Sequence, residues 1–104
     1  MFVVANRVPV NPAHADTFES MFRATLGRTT NVPGFIKTQV LRPVEAGTYV
    51  VLTYWKDRAS FEGWMQSESF QRAHARSGPE GMVSGPSALE MHEVALSTDP
   101  SEAG

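Results

Sequence analysis

Three side chains have the types and settings for chemistry: Asn6, Trp64 and His74. His74 is an imidazole on an apolar stripe, because Phe70, Ala73 and His74 recur at i, i+3, i+4 within SFEGWMQSESFQRAHARS, residues Ser60 to Ser77. Trp64 lies on a separate stripe, Phe61, Trp64 and Met65, in the same stretch. Asn6 interrupts an apolar row of alternating residues, Phe2, Val4, Val8 and Val10. An amide buried there without a partner costs on the order of 1–3 kcal/mol, so Asn6 is expected to be paired.

Each has an ordinary structural reading beside a chemical one. A histidine near a helix end favours the C-terminal carbonyls as a cation, or it ligates a metal through a ring nitrogen. The positions three and four residues from His74 are Phe70, Gln71, Ser77 and Gly78, none of them a second ligand, which argues against a zinc site on this helix. One imidazole is still enough to hold a haem iron, because the porphyrin supplies the equatorial ligands. Trp64 is a core residue or a pocket wall, and Asn6 bonds neighbouring backbone or faces a ligand. His14 and His92 have no such setting and read as surface or structural residues. Asp57, Glu62 and Glu68 read as a solvated helix face. No Ser/His/Asp set, phosphate-binding glycine loop or carboxylate pair is visible.

Composition bounds the rest. A chain of 104 residues with 41% hydrophobic and 19% charged residues is an ordinary single globular domain. A net charge of −2 offers no attraction for nucleic acid or an anionic membrane. With no cysteine, disulfides, thiolate chemistry and iron–sulfur clusters are excluded, and a cytoplasmic location fits. No stretch reaches the roughly 20 apolar residues that span a bilayer, and MFVVANRVPV turns polar too early for a signal peptide.

The elements that must position these residues follow from periodicity. Phe2–Val10 reads as a strand, and Asn11-Pro12 starts a helix that runs to about Gly27–Arg28 on Phe18, Met21, Phe22, Thr25 and Leu26. Pro33-Gly34 suits the centre of a type II turn. Phe35–Arg42 and Thr48–Lys56 form an antiparallel hairpin around Glu45-Ala-Gly47. Asp57–Ser60 offers caps for the second helix. In one straight helix, Trp64 and His74 would stand about 80° apart and roughly 15 Å along the axis. Glu68 also falls on the first stripe, so a bend is expected near Gln66–Ser69, with Ser67 or Ser69 capping the next turn. SGPEGMVSGP, residues Ser77 to Pro86, reads as a loop and a mobile one, Ser87–Leu96 as a strand, and Ser97–Gly104 as a disordered tail. The order β-α-β-β-α-β predicts one α+β domain over residues 1–96, ferredoxin-like, with both helices on one face of an antiparallel sheet. A second copy packed sheet against sheet is the natural cover for the other face, so a homodimer is expected.

The segments VVANRVPV, NVPGF, VVLTYWKDRASFEGWMQSESFQRAHAR and LEMHEV together resemble the antibiotic biosynthesis monooxygenase superfamily over nearly all of the chain except the tail. Within it, the N-R of the first strand and the helix pattern F-x-x-W-x-x-S-x-x-F-x-x-A-H are most similar to the small dimeric bacterial haem-degrading monooxygenases, which fold as dimeric α/β-barrels. The resemblance implies that His74 is the axial ligand of the haem iron. It implies that Asn6 donates a hydrogen bond on the distal side to the dioxygen-derived ligand, and that Trp64 presses the porphyrin out of plane. Haem would be both substrate and cofactor, opened with dioxygen and an external electron donor, with release of iron. Arg23, Arg72 and Arg76 are basic and near the expected mouth, but nothing else marks them as propionate partners.

Two other functions fit the same residues. A cofactor-independent monooxygenase of quinol or aromatic polyketide-like substrates needs Trp64 and Asn6 for orientation and no iron on His74. A non-enzymatic haem-binding protein needs His74 and no turnover.

Overall fold

The computed structural model describes residues 1–25, 31–68, 70 and 81–98. Four strands, β1 (Phe2–Val8), β2 (Phe35–Leu41), β3 (Tyr49–Trp55) and β4 (Ala88–Glu93), form one antiparallel sheet in the order β2-β3-β1-β4. Two helices, α1 (Ala15–Thr25) and α2 (Arg58–Met65), complete the expected β-α-β-β-α-β order.

The local signals act largely as read. Asn11 caps through its side-chain oxygen, which accepts from the Ala13 N–H at 3.0 Å. Its first turn, Pro12–His14, is a 3₁₀ helix, and α1 follows directly. The Pro33-Gly34 turn closes with the Phe35 N–H donating to the Val32 carbonyl at 3.1 Å, and Gly34 takes φ +79°. That pairing of proline with a left-handed glycine is what a type II turn demands. Asp57 begins α2 by accepting from both the N–H and the hydroxyl of Ser60, at 2.8 and 2.7 Å.

Some boundaries differ from the sequence reading. β1 stops at Val8 instead of running through Val10, because Pro9 has no N–H for the ladder. Val10 bridges Val83 instead. The stretch 81–86 is a loop, as read, and it is tied back to the residues that follow β1. Met82 is buried, its carbonyl accepts from the Asn11 N–H at 2.8 Å, and the Ser84 N–H donates to the Pro9 carbonyl at 2.7 Å. Met65, placed on the buried stripe by spacing, is 38% exposed at the end of α2. The end of the first helix beyond Thr25, the first part of the expected loop (77–80) and the tail beyond Thr98 lie outside the described residues.

Register fixes what faces what. Phe2, Val4, Asn6 and Val8 of β1 pair with Trp55, Thr53, Val51 and Tyr49 of β3, and an antiparallel sheet turns paired side chains to the same face. Two apolar clusters form there. Val8, Tyr49 and Val51 pack with Phe18 of α1 and with Met82, while Phe2, Val4 and Trp55 pack with Phe61 of α2. Both helices thus cover one face. The opposite face carries Val3, Val50, Leu52 and Tyr54, all half-buried, rimmed by an Arg7–Glu90 ion pair and by Lys37 over the Tyr54 ring.

Candidate active site

Asn6 stands where the core changes hands. Along β1, Phe2 and Val4 belong to the cluster under α2 and Val8 to the cluster under α1, while Asn6 between them belongs to neither. It is half-buried, and among the described residues its amide has no hydrogen-bond partner. The expected pairing is not found among the described residues, and the half-buried amide has two donors and an acceptor to offer.

Trp64 sits at the top of an aromatic stack on α2. Its ring centroid lies 5.5 Å from Trp55, 6.3 Å from Phe61 and 4.9 Å from Phe70, the last edge-on at 83°. Its indole Nε1 is buried and has no hydrogen-bond partner among the described residues. Trp55 beneath it is fully buried, and its own Nε1 donates to the Thr53 hydroxyl at 2.9 Å. Sequence reasoning misses Trp55. The signal for it is the row Tyr49, Val51, Thr53 and Trp55, which alternates against the row carrying Asn6.

The bend expected after Trp64 is present. α2 ends at Met65, Gln66 donates to the Glu62 carbonyl at 3.3 Å, and the Ser67 hydroxyl accepts from the Phe70 N–H at 3.2 Å. The chain is helical again at Glu68 and Phe70. Ser67 is therefore the cap of the next turn. A cavity of about 620 Å³ runs between the 31–33 segment and α2, walled by Val32 and Pro33 on one side and Ser60, Gly63, Trp64 and Ser67 on the other. It includes Trp64 and does not include Asn6. His74 lies outside the described residues, as do Arg72 and Arg76. His14 is half-buried beside the first helical turn, and His92 is exposed on the helix-free face of the sheet. Among the described residues no group of three His, Cys, Asp or Glu side chains could hold a metal.

Charge is concentrated at the other end of the helix layer. Glu19 of α1 accepts from the Arg42 guanidinium at 2.7 Å and from the Tyr49 hydroxyl. The Arg42 hydrogen bond and then that of Tyr49 hold the Glu19 carboxyl down at about 2. The same carboxylate pushes the Tyr49 phenol up. The hydroxyl and N–H of Ser60 likewise hold Asp57 below the usual carboxylate range, so Asp57 is a cap and not only part of a solvated face. These groups anchor α1 to the β2–β3 hairpin and start α2. The cavity beside Trp64 mixes apolar Val32, Pro33 and Trp64 with polar Asn31, Asp57, Ser60 and Ser67.

Known proteins share this fold. The family model for antibiotic biosynthesis monooxygenase matches residues 1–76. A staphylobilin-producing haem oxygenase of Staphylococcus haemolyticus is 34% identical over 77 residues, 71% of this chain and 73% of that protein. A mycobilin-producing haem oxygenase of Mycobacterium tuberculosis is 30% identical over 93 residues, 88% of each chain. The backbone superposes on the haem-degrader MhuD of Mycobacterium tuberculosis, solved with two haems in its active site, with a TM-score of 0.82 and 27% identity over 95% of this chain and 100% of that one. By fold and by the family match across the first 76 residues, this chain belongs to the antibiotic biosynthesis monooxygenase family.

Proposed function

We propose that this protein is a haem-degrading monooxygenase, which opens the porphyrin of haem with dioxygen and electrons from an external donor and releases iron. The observation that carries the reading is its likeness to haem oxygenases in both sequence and backbone over most of its length. Two features of the site agree with it. Asn6 is an amide between two apolar clusters with no partner among the described residues, and Trp64 holds a buried N–H that nothing in the described protein satisfies. A cavity of about 620 Å³ beside Trp64 also lies within the roughly 300–1,000 Å³ of sites that enclose organic ligands.

When bound, haem would supply the redox-active iron, and would be substrate as well as cofactor. The chain's own residues would do the rest. His74 would hold the iron through one imidazole nitrogen. Asn6 would offer its amide N–H as a hydrogen-bond donor to the bound group. Trp64, braced from behind by Trp55 and Phe61, would act as a hard wall against the haem. The aromatic stack behind the indole supports this role, because a packed wall can press where a mobile side chain would yield.

The reading extends to assembly. A second copy packed against Val3, Val50, Leu52 and Tyr54 would complete a dimeric α/β-barrel and cover the face that the helices leave bare. The electron donor would be a reductase or a small reductant, and a cysteine-free chain is suited to a cytoplasmic site of action. Among the described residues no helix is long and apolar enough to cross a membrane.

Titration of the purified protein with haemin, followed by visible spectroscopy, tests the reading. Saturable binding with a Soret shift, lost in His74→Ala, is the expected result. A wild-type protein that leaves the haemin spectrum unchanged overturns it and directs the search to quinol-like substrates.

A further inference from the structure

The end of α2 is built around one hydroxyl. The Trp64 carbonyl accepts two hydrogen bonds from the same residue, the Ser67 N–H at 2.9 Å and the Ser67 Oγ at 2.6 Å. In a continuing helix that carbonyl would instead accept from the residue four positions on. The Ser67 Oγ also accepts from the Phe70 N–H at 3.2 Å. The hydroxyl thus stops one helical segment and caps the next, and both of its roles bear on the residue that carries the indole.

The consequence is visible in the rings. An unbroken helix turns about 100° per residue, so residues six apart would stand roughly 120° apart around the axis and could not touch. Trp64 and Phe70 are six apart, yet their centroids lie 4.9 Å from each other, edge to face. This contact exists only because the helix breaks between them. Ser67 also lines the cavity beside Trp64.

We propose that Ser67 is a positioning residue, whose hydroxyl sets the break in the second helix and thereby clamps the Trp64 indole between Trp55 and Phe70. The part of this claim that concerns haem rests on the proposed function. The part that concerns the indole does not.

The test uses Ser67→Ala, which loses both side-chain bonds, and Ser67→Thr, which keeps a hydroxyl on the same carbon. Acrylamide quenching of Trp64 is read as the difference between each protein and its Trp64→Phe counterpart, which leaves Trp55 as the single tryptophan. The expected result is a rise in Trp64 quenching in Ser67→Ala. Haemin should dissociate faster from Ser67→Ala than from the wild type, with a displaced Soret maximum. Ser67→Thr should restore both. A lowered Tm in Ser67→Ala with wild-type Trp64 quenching overturns the proposal, because it marks a cap that stabilises without positioning. Failure of Ser67→Thr to restore quenching overturns it as well. If the wild type binds no haemin, the proposed function fails, and the quenching comparison alone decides the role of Ser67.

Discussion

Two tryptophans share one aromatic stack, yet their replacement by phenylalanine should have very different costs. Trp55 is fully buried and its N–H is satisfied by Thr53. Trp55→Phe removes part of a buried ring, leaves a small void and strands the Thr53 hydroxyl. Lost transfer and cavity terms come to roughly 1 kcal/mol, and the lost hydrogen bond adds about 1 kcal/mol more. The sum is a destabilisation of about 2 kcal/mol. Trp64 is half-buried, so the same truncation removes less apolar area, roughly 0.5–1 kcal/mol. It also removes a buried donor without a partner, whose desolvation costs the folded protein about 1–3 kcal/mol. The two effects oppose, and Trp64→Phe should leave ligand-free stability unchanged or raise it, by roughly 0–2.5 kcal/mol. Urea unfolding of the two variants and the wild type, followed by far-ultraviolet circular dichroism, measures the difference directly. Equal losses for Trp55→Phe and Trp64→Phe would refute the claim that the Trp64 indole is held in the folded protein without a partner.

Other perturbations follow from single contacts. Gly34→Ala should lower Tm by several degrees, because Gly34 has φ +79° and an added Cβ would collide with the Ser60 hydroxyl, displacing the partner of the Asp57 cap; a melting curve that matches the wild type would contradict this. Asn6→Leu should raise Tm, since it joins two apolar clusters across an amide that no described residue pairs, while abolishing ring opening and sparing haemin binding. Loss of stability together with full activity would refute the assignment. The Glu19 carboxyl has a folded value of about 2 against an ordinary 4.5, so its stabilisation is complete above the ordinary value and is lost as pH falls through that window. Glu19→Gln should therefore flatten the acid limb of a Tm–pH profile between those values, and an unchanged limb would contradict the coupling. Leu52→Glu places a charge on the bare sheet face and should shift a dimer to monomer in sedimentation, whereas an unaltered dimer would move the interface elsewhere.

The backbone plan was readable because its signals are local. The alternating row of β1, the Asn11-Pro12 start, the Pro33-Gly34 turn and the broken stripe after Trp64 each record a backbone requirement in neighbouring residues. What escaped depends on distant partners. The glycine-rich composition of residues 77–86 gives no hint that Met82 is buried or that Val83 bridges Val10, because both depend on where Pro9 stops the first strand. The Glu19, Arg42 and Tyr49 cluster joins three elements and has no period of its own. The site was legible in part. Asn6 was identified by being polar in an apolar row, and the structure places it at a gap between clusters, which alternation alone does not reveal. Trp64 was identified by its stripe, while its unsatisfied N–H follows from how Trp55 and Phe70 enclose it.

The central claim is turnover, and one measurement reaches it directly. The protein is loaded with haemin, ascorbate is added in air, and the Soret band is followed alongside release of ferrous iron to a chelator, with Asn6→Leu and His74→Ala in parallel. The account expects loss of the Soret band and stoichiometric iron release in the wild type alone. A Soret band that persists unchanged in the wild type, with iron retained, would contradict it and leave a protein that binds haem without opening it.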